Sequence, residues 1–455
     1  MLDVQHPPST SACYFKITVS TDGLRGGSEA AFSLRRTTPA PPYLPLSSEL
    51  MSDIYDIPES KHKEDETSVR FYLRALQPFL EEEGITEIAF NNPESLSIFV
   101  EKFGRWEERP FVIPEQRRSD NGCRDRAASL AARALAGKLG TRTDAAENAR
   151  VSADRDAARR NYDHIAALAR AVASWNHDEF SETKPILSAT LPDGERAQFV
   201  MPPACMKGRI SMTIRRPTYD VMTMSDYQAQ GFFGKIIPVT SKREGDDELM
   251  GLYREMFDET SPADVRCVMR EKFLTSCVRL GRTIVIAGGT GSGKTTFMKS
   301  LMQSIPNTDR IITIEDVPEL IYGLPDHRNQ VNLLYPSEAT ETSAVNATKL
   351  MKSCLRMKPD RILLAELRSG ETYDWLNSVL SGHSGSITSC HADNCASVFD
   401  YLALKVLQSE IGRHLPYDEI KRLLRDVIDV IVHIHNNRGE RHITEIYYKA
   451  ARDAA

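Results

Sequence analysis

No apolar run in this chain is long enough to cross a bilayer. A spanning helix needs roughly 20 consecutive apolar residues, and the longest candidates, "RTIVIAG" and "VIDVIVHIH", have the length of buried strands. Paired cysteines are missing too. The eight cysteines, at 13, 123, 205, 267, 277, 354, 390 and 395, form no CxxC pair and no regular spacing. That pattern fits reduced thiols in a cytosol rather than a disulfide framework. An excess of positive charge is also absent, with 57 Lys and Arg against 63 Asp and Glu. A chain of that balance is not expected to coat nucleic acid through its phosphates. What remains is an ordinary globular composition, 41% hydrophobic and 26% charged over 455 residues. Such a length accommodates roughly two to three domains, each with its own core.

Residues 1–50 stand apart, with six prolines, many Ser and Thr and no sustained periodicity. They are expected to be disordered, or an upstream extension ahead of Met51, and the extension is drawn to residue 66. They lack the continuous apolar core of a signal peptide. From about Thr67 a helical pattern places Phe71, Leu76, Phe79 and Leu80 on one side. A turn at Gly84 leads to the strand "ITEIAFN" and a hairpin-like "LSIFVEKFGRWEERPF". Residues 117–160 then interrupt, with eleven basic and six acidic side chains and few large apolar ones. This insertion is expected to be a solvated helical or mobile segment. An amphipathic helix resumes at "HIAALARAVASWN", and "KPILSATLPDGERAQFVMPPA" reads as two strands around a Pro-Asp-Gly turn. These pieces predict a small amino-terminal α/β domain over 67–216, followed by a linker at 217–280.

From 281 to 455 strands and helices alternate: "TIVIA", a helix from Lys294, "RIITIE", a helix near 343–356, "RILLAE", a helix near 371–380, then "SITSCH". Helices at 397–409 and "YDEIKRLLRDV" and two closing strands follow. Alternation of this kind predicts an α/β domain with a mainly parallel sheet and its chemistry at the carboxyl ends of the strands.

"GGTGSGKTT" satisfies the phosphate-loop pattern G-x-x-x-x-G-K-[ST] from Gly288 to Thr295, between an apolar strand and a helix. Its glycines let successive N–H groups turn toward a phosphate, and the helix that follows adds the positive end of its dipole. A nucleoside triphosphate is expected on Gly288, Gly289, Thr290, Gly291, Ser292, Gly293, Lys294, Thr295 and Thr296. Lys294 spans the β and γ phosphates and the Thr295 hydroxyl ligates Mg²⁺. Hydrolysis also needs a carboxylate to position water. "RILLAELR" supplies Glu366, while Ala365 stands where many such enzymes carry an Asp. The strand "RIITIEDVPEL" ends in Glu315 and Asp316, assigned to the metal through water.

In that order, the phosphate loop, the acidic box "TIEDVPEL", "RILLAELRSGE" and "SGHSGSITSCHA" resemble the traffic ATPases of secretion and pilus systems. The long stretch "RMKPDRILLAELRSGETYDWLNSVLSGHSGSITSCHADN" and "LPYDEIKRLLRDVIDVIVHIH" look most like the hexameric ATPase of type IV secretion systems. The resemblance covers about residues 67–116 and 161–450. It implies a RecA-like motor domain behind a smaller amino-terminal domain, ATP between the two, and a homohexameric ring. It also implies work with other secretion components at the inner membrane, in the cytoplasm with peripheral membrane contact and no direct nucleic acid. Arg215 and Arg216 of "TIRRP", with Arg209 behind them, match the family's phosphate-approaching arginines. The chain departs from the family's usual pattern at Ser384 and Cys390 of the histidine box.

"SGHSGSITSCHADNC" gathers His383, His391, Cys390 and Cys395, which raises a metal reading. The spacing matches no zinc pattern, and adjacent Cys390 and His391 on a strand point to opposite faces. The reading taken is a sensor. His391 bonds the phosphate, the attacking water or Glu366, and His383 reports nucleotide state to a neighbour. Two other functions compete: a RecA-like nucleic-acid translocase, and a nucleotide-gated scaffold with little turnover.

Overall fold

The computed structural model describes residues 59–115, 142–218, 221–236 and 242–453, with side chains described from 66 and from 150 onward in the first two stretches. The expected disorder of residues 1–50, and the insertion up to residue 141, lie outside the described residues. Residues 63–455 form one compact unit; of the unit before it, only the start of a helix at Glu59 is described.

The first sheet is built from β1 (Ile85–Phe90), β2 (Ser97–Lys102), β3 (Arg105–Pro110), β4 (Ile186–Thr190), β5 (Arg196–Val200) and β6 (Ser211–Arg215). Its order is β3-β2-β1-β6-β5-β4, antiparallel throughout. Ile88, Phe90, Ile98, Val100, Phe199 and Ile214 are fully buried in its core against Ile165, Leu168 and Val172 of a long helix, Arg142–Trp175. That helix corrects the sequence reading. The amphipathic stretch expected to begin near His164 starts by Arg142, so the second part of the insertion belongs to the same helix, with its side chains exposed from 150 to 156. The preceding helix runs Glu59–Leu73, and a turn separates it from Gln77–Glu81. Val69, Leu73 and Leu76 are buried, whereas Phe71 is exposed, because the break at the turn shifts which face meets the sheet.

The second sheet contains β7 (Ile284–Ala287), β8 (Ile311–Glu315), β9 (Gln330–Leu334), β10 (Arg361–Leu364), β11 (Ile387–Cys390), β12 (Val430–Asn437) and β13 (Glu440–Tyr448). Its order is β13-β12-β7-β11-β10-β8-β9, parallel except for the β12–β13 hairpin. β7, β8, β10 and β11 are buried along their whole length. A parallel sheet covered on both faces needs such unbroken apolar strands. β9 was not expected from sequence: "QVNLL" alternates polar and apolar over only four residues and sits among loop residues. The stretch 217–280, which showed little pattern, contains helices Met224–Ala229, Asp246–Glu255 and Ala263–Arg279. The last two bury Leu249, Phe273 and Cys277 against β7 and β12.

Candidate active site

The phosphate loop leaves the carboxyl end of β7, and the helix Lys294–Met302 begins directly behind it. Gly291 and Gly293 hold φ of 73° and 94°, a region that side chains with a Cβ rarely adopt. Gly288 is required for a second reason. A Cβ there would stand 2.3 Å from the Ile434 carbonyl oxygen and 2.8 Å from Ser292 Oγ. Lys294 is 8% exposed, and its ammonium donates to the carbonyls of Gly288 (2.9 Å) and Gly289 (3.1 Å). Burial lowers its pKa, and Glu366 pulls it part of the way back. A buried cation whose hydrogen bonds, among the described residues, go to its own loop carbonyls is poised to exchange them for a polyanion. Ser292 Oγ is buried with no hydrogen-bond partner, and Thr290 and Thr296 are exposed. Thr295 is half-buried at the helix start. This cradle fits a phosphate chain with a Mg²⁺ ion.

Strand order brings the acids to the loop. β11 lies between β7 and β10, so the residues after β11 and β10 share one rim with the phosphate loop. His391 Nε2 is 2.7 Å from Glu366 Oε1. Cys390 next to it faces the core, where burial pushes its thiol up to about 12. Arg368, which the sequence reading missed, bonds Glu366 Oε2 through Nε (2.7 Å) and reaches Asp316 with Nη1. Burial opposes its charge, but Glu366 and Asp316 outweigh that and hold the guanidinium well above its ordinary value. Its place is fixed by the turn after β10, where Glu371 Oε1 accepts from the backbone N–H of Arg368 (2.6 Å) and Ser369 (2.7 Å). β10 lacks a carboxylate at Ala365, and Asp316 at the end of neighbouring β8 offers one to the same arginine.

Glu315 is fully buried, and its Oε2 accepts from the backbone N–H of Glu319 and Leu320, each at 2.7 Å. Burial raises its pKa and these backbone donors oppose the rise. One oxygen thus closes the turn after β8; the other, Oε1, is buried without a hydrogen bond. The expected metal pair is therefore committed in part to structure, Glu315 to a turn and Asp316 to Arg368.

Other expected site residues are not brought to the loop. His383 precedes β11 and so lies at the opposite end of that strand from His391. Its neighbours Gly382 and Ser384 line a cleft with Gly281 and Asp309, which precede β7 and β8, and with Arg361, the first residue of β10. β11 thus separates the two histidines, and only His391 stands at the rim of its own chain's phosphate loop. Arg215 is mostly exposed, with Nε 3.5 Å from Glu87, and it faces Arg196 across β5–β6. Both line a cleft with Arg356 and Lys358, which precede β10. Arg216 donates to the carbonyls of Glu82 (2.6 Å) and Ile85 (2.9 Å). Arg209 points at Asn332 Oδ1 in β9, 3.4 Å away. None of the three touches the phosphate loop of its own chain, because the first sheet packs at the amino ends of β8 and β10 and the loop sits at the carboxyl ends.

Among the described residues, no group of three or more His, Cys, Asp or Glu side chains is gathered to hold a metal by itself, and no helix is long and apolar enough to cross a membrane.

Comparison with known proteins follows the same outline. Residues 265–432 match the model of the type II/IV secretion system protein family. The type IV secretion system protein VirB11 of Brucella abortus biovar 1 is 43% identical over 398 residues, 86% of this chain and 93% of the relative. The type IV secretion system protein PtlH of Bordetella pertussis is 35% identical over 389 residues, 84% of this chain and 96% of the relative. Among solved structures, the VirB11 ATPase from the Brucella suis type IV secretion system, in complex with sulphate, superposes with a TM-score of 0.69 at 40% identity. The match covers 86% of this chain and 98% of that one.

Proposed function

The chain belongs to the VirB11 family of type IV secretion ATPases, and from that premise we propose that it is a Mg²⁺-dependent ATPase acting as a homohexameric ring on the cytoplasmic face of the inner membrane. As a member of that family it energises a type IV secretion machinery. The observation that carries the enzymatic reading is the rim where Lys294, Glu366, His391 and Arg368 converge on one phosphate loop.

Each side chain then has a task. Lys294 releases its loop carbonyls to span the β and γ phosphates. Glu366 orients the attacking water and takes its proton. His391 stands 2.7 Å from the Oε1 edge of that carboxylate and, half-exposed, is able to report whether a phosphate stands in front of it. Arg368 holds the other edge and tethers Glu366 to Asp316. A Mg²⁺ ion would be held by the Thr295 hydroxyl, and through water by Asp316 and the free edge of Glu315, and would supply neutralisation of phosphate charge. Arg216 is committed to backbone carbonyls, whereas the exposed Arg215, which stands beside Arg196 and 3.5 Å from Glu87, is accessible to a neighbouring copy's nucleotide.

ATPase assays and a size measurement with and without a non-hydrolysable ATP analogue test this reading. Wild type is expected to form a ring and hydrolyse ATP, Lys294→Ala to lose both binding and turnover, and Glu366→Gln to bind ATP while turnover falls roughly 10²–10⁴-fold. A wild-type protein that stays monomeric and inactive contradicts the proposal. Secretion supported by Glu366→Gln as well as by wild type would instead make the protein a nucleotide-gated scaffold.

A further inference from the structure

The hairpin that closes the parallel sheet has no part in the chemistry so far, yet it covers the phosphate loop at three glycines. The Ile434 carbonyl of β12 abuts Gly288, and Asn436 Nδ2 donates to the Gly291 carbonyl at 3.0 Å. The aliphatic stem of Arg441 passes over Gly293, where a Cβ would meet Arg441 Cδ at 3.3 Å and Nε at 3.7 Å. Asn436 and Arg441 are direct partners across the β12–β13 ladder, so they reach the loop from one face. The neighbouring pair His435 and His442 shares the other face, with ring centroids 6.0 Å apart. Arg441 is exposed, and among the described residues it forms no ion pair.

Strand order decides which end of a nucleotide this hairpin meets. β11 and β10, with His391 and Glu366, flank β7 on one side; β12 and β13 flank it on the other. A triphosphate laid along the loop with its terminal phosphate toward Glu366 therefore runs with its α phosphate and nucleoside toward the hairpin. Resting on the ATPase reading above, we propose that Arg441 contacts the α-phosphate end of the bound nucleotide, and that Asn436 is a positioning residue that holds the loop at Gly291 for that contact. The guanidinium supplies a second cation at the end of the phosphate chain that Lys294 does not reach. Because ADP and ATP share that end, the contact serves both.

The test uses the full chain, fluorescent ADP and a non-hydrolysable ATP analogue. Arg441→Ala is expected to weaken both nucleotides by the same factor, roughly tenfold for one charge-assisted contact. The loss should appear in KM for ATP far more than in kcat, as for binding felt equally in ground and transition states. Arg441→Lys should recover part of it through its point charge. Unchanged ADP affinity overturns the proposal, and so does a loss confined to the ATP analogue, which would put Arg441 at the γ phosphate. A loss that lysine does not relieve and that accompanies a lower melting temperature of the nucleotide-free protein makes Arg441 structural and overturns it as well. Wild type that binds neither nucleotide defeats the ATPase reading itself. Wild-type affinity in Arg441→Ala beside lost binding in Lys294→Ala defeats only the hairpin contact.

Discussion

At the scale of the residue, the site is set by what small side chains permit. Gly288 is the sharpest instance. A methyl group there would press on the Ile434 carbonyl oxygen and Ser292 Oγ, and neither backbone nor buried hydroxyl has room to yield. Gly288→Ala is expected to lower the melting temperature and weaken ADP binding at least about tenfold, since loop and hairpin must part. Gly289→Ala meets nothing within 4 Å of its new Cβ and should melt like wild type; calorimetry on the two variants separates them. Lys294 and Glu366 were legible in sequence because each sits in a pattern that ties it to a strand end. Arg368 was not. Two residues past Glu366 it reads as an ordinary surface arginine, and only the Glu371-closed turn and the adjacency of β8 and β10 turn it toward two carboxylates.

At the scale of the element, the unbroken apolar strands and the phosphate-loop helix were legible, and the pieces of mixed composition were not. β9 and the helices Asp246–Glu255 and Ala263–Arg279 are fixed by packing on their neighbours, whereas Met224–Ala229 buries no side chain and is held by a capping box of Thr223 and Asp226. Cross-strand pairing has its own chemistry in the first sheet. Glu87 of β1 faces Arg215 of β6, which faces Arg196 of β5. Burial pushes the Glu87 carboxyl from its ordinary 4.5 up to about 7, with Arg215 and then Lys358 drawing it part of the way back. A folded value above the unfolded one means that the folded state holds the proton more tightly. That stability is fully present below the unfolded value and is lost as pH rises from about 4.5 to about 7. Glu87→Gln, which cannot ionise, is therefore expected to melt above wild type at pH 8 and no higher at pH 4. The difference is on the order of 2 kcal/mol. An equal shift at both pH values would remove ionisation of Glu87 as the cause.

At the scale of the whole molecule, Arg310 ties one sheet to the other. It is fully buried ahead of β8 and donates to Met357 O (2.8 Å), Asn329 Oδ1 (2.7 Å), Asn91 Oδ1 (2.6 Å) and Thr213 Oγ1 (3.2 Å). Burial lowers its pKa to about 10. Arg310→Ala leaves several of these acceptors and a cavity behind, and should cost roughly 3–5 kcal/mol in urea denaturation; a cost under about 1 kcal/mol would show that the sheets do not depend on this link. The sequence by itself determined the phosphate loop, the parallel motor sheet and the family, because each is written in local spacing: a glycine pattern between strand and helix, unbroken apolar runs, ordered motifs. Only the tertiary structure decided which acids and bases meet. It set His391 against Glu366 and sent His383 to the far end of the same strand. It turned Glu315 inward to close a turn, kept Arg215 and Arg216 away from their own chain's loop, and laid the Arg441 hairpin across the glycines. Those outcomes depend on strand order and strand length, which bring together residues that lie far apart along the chain.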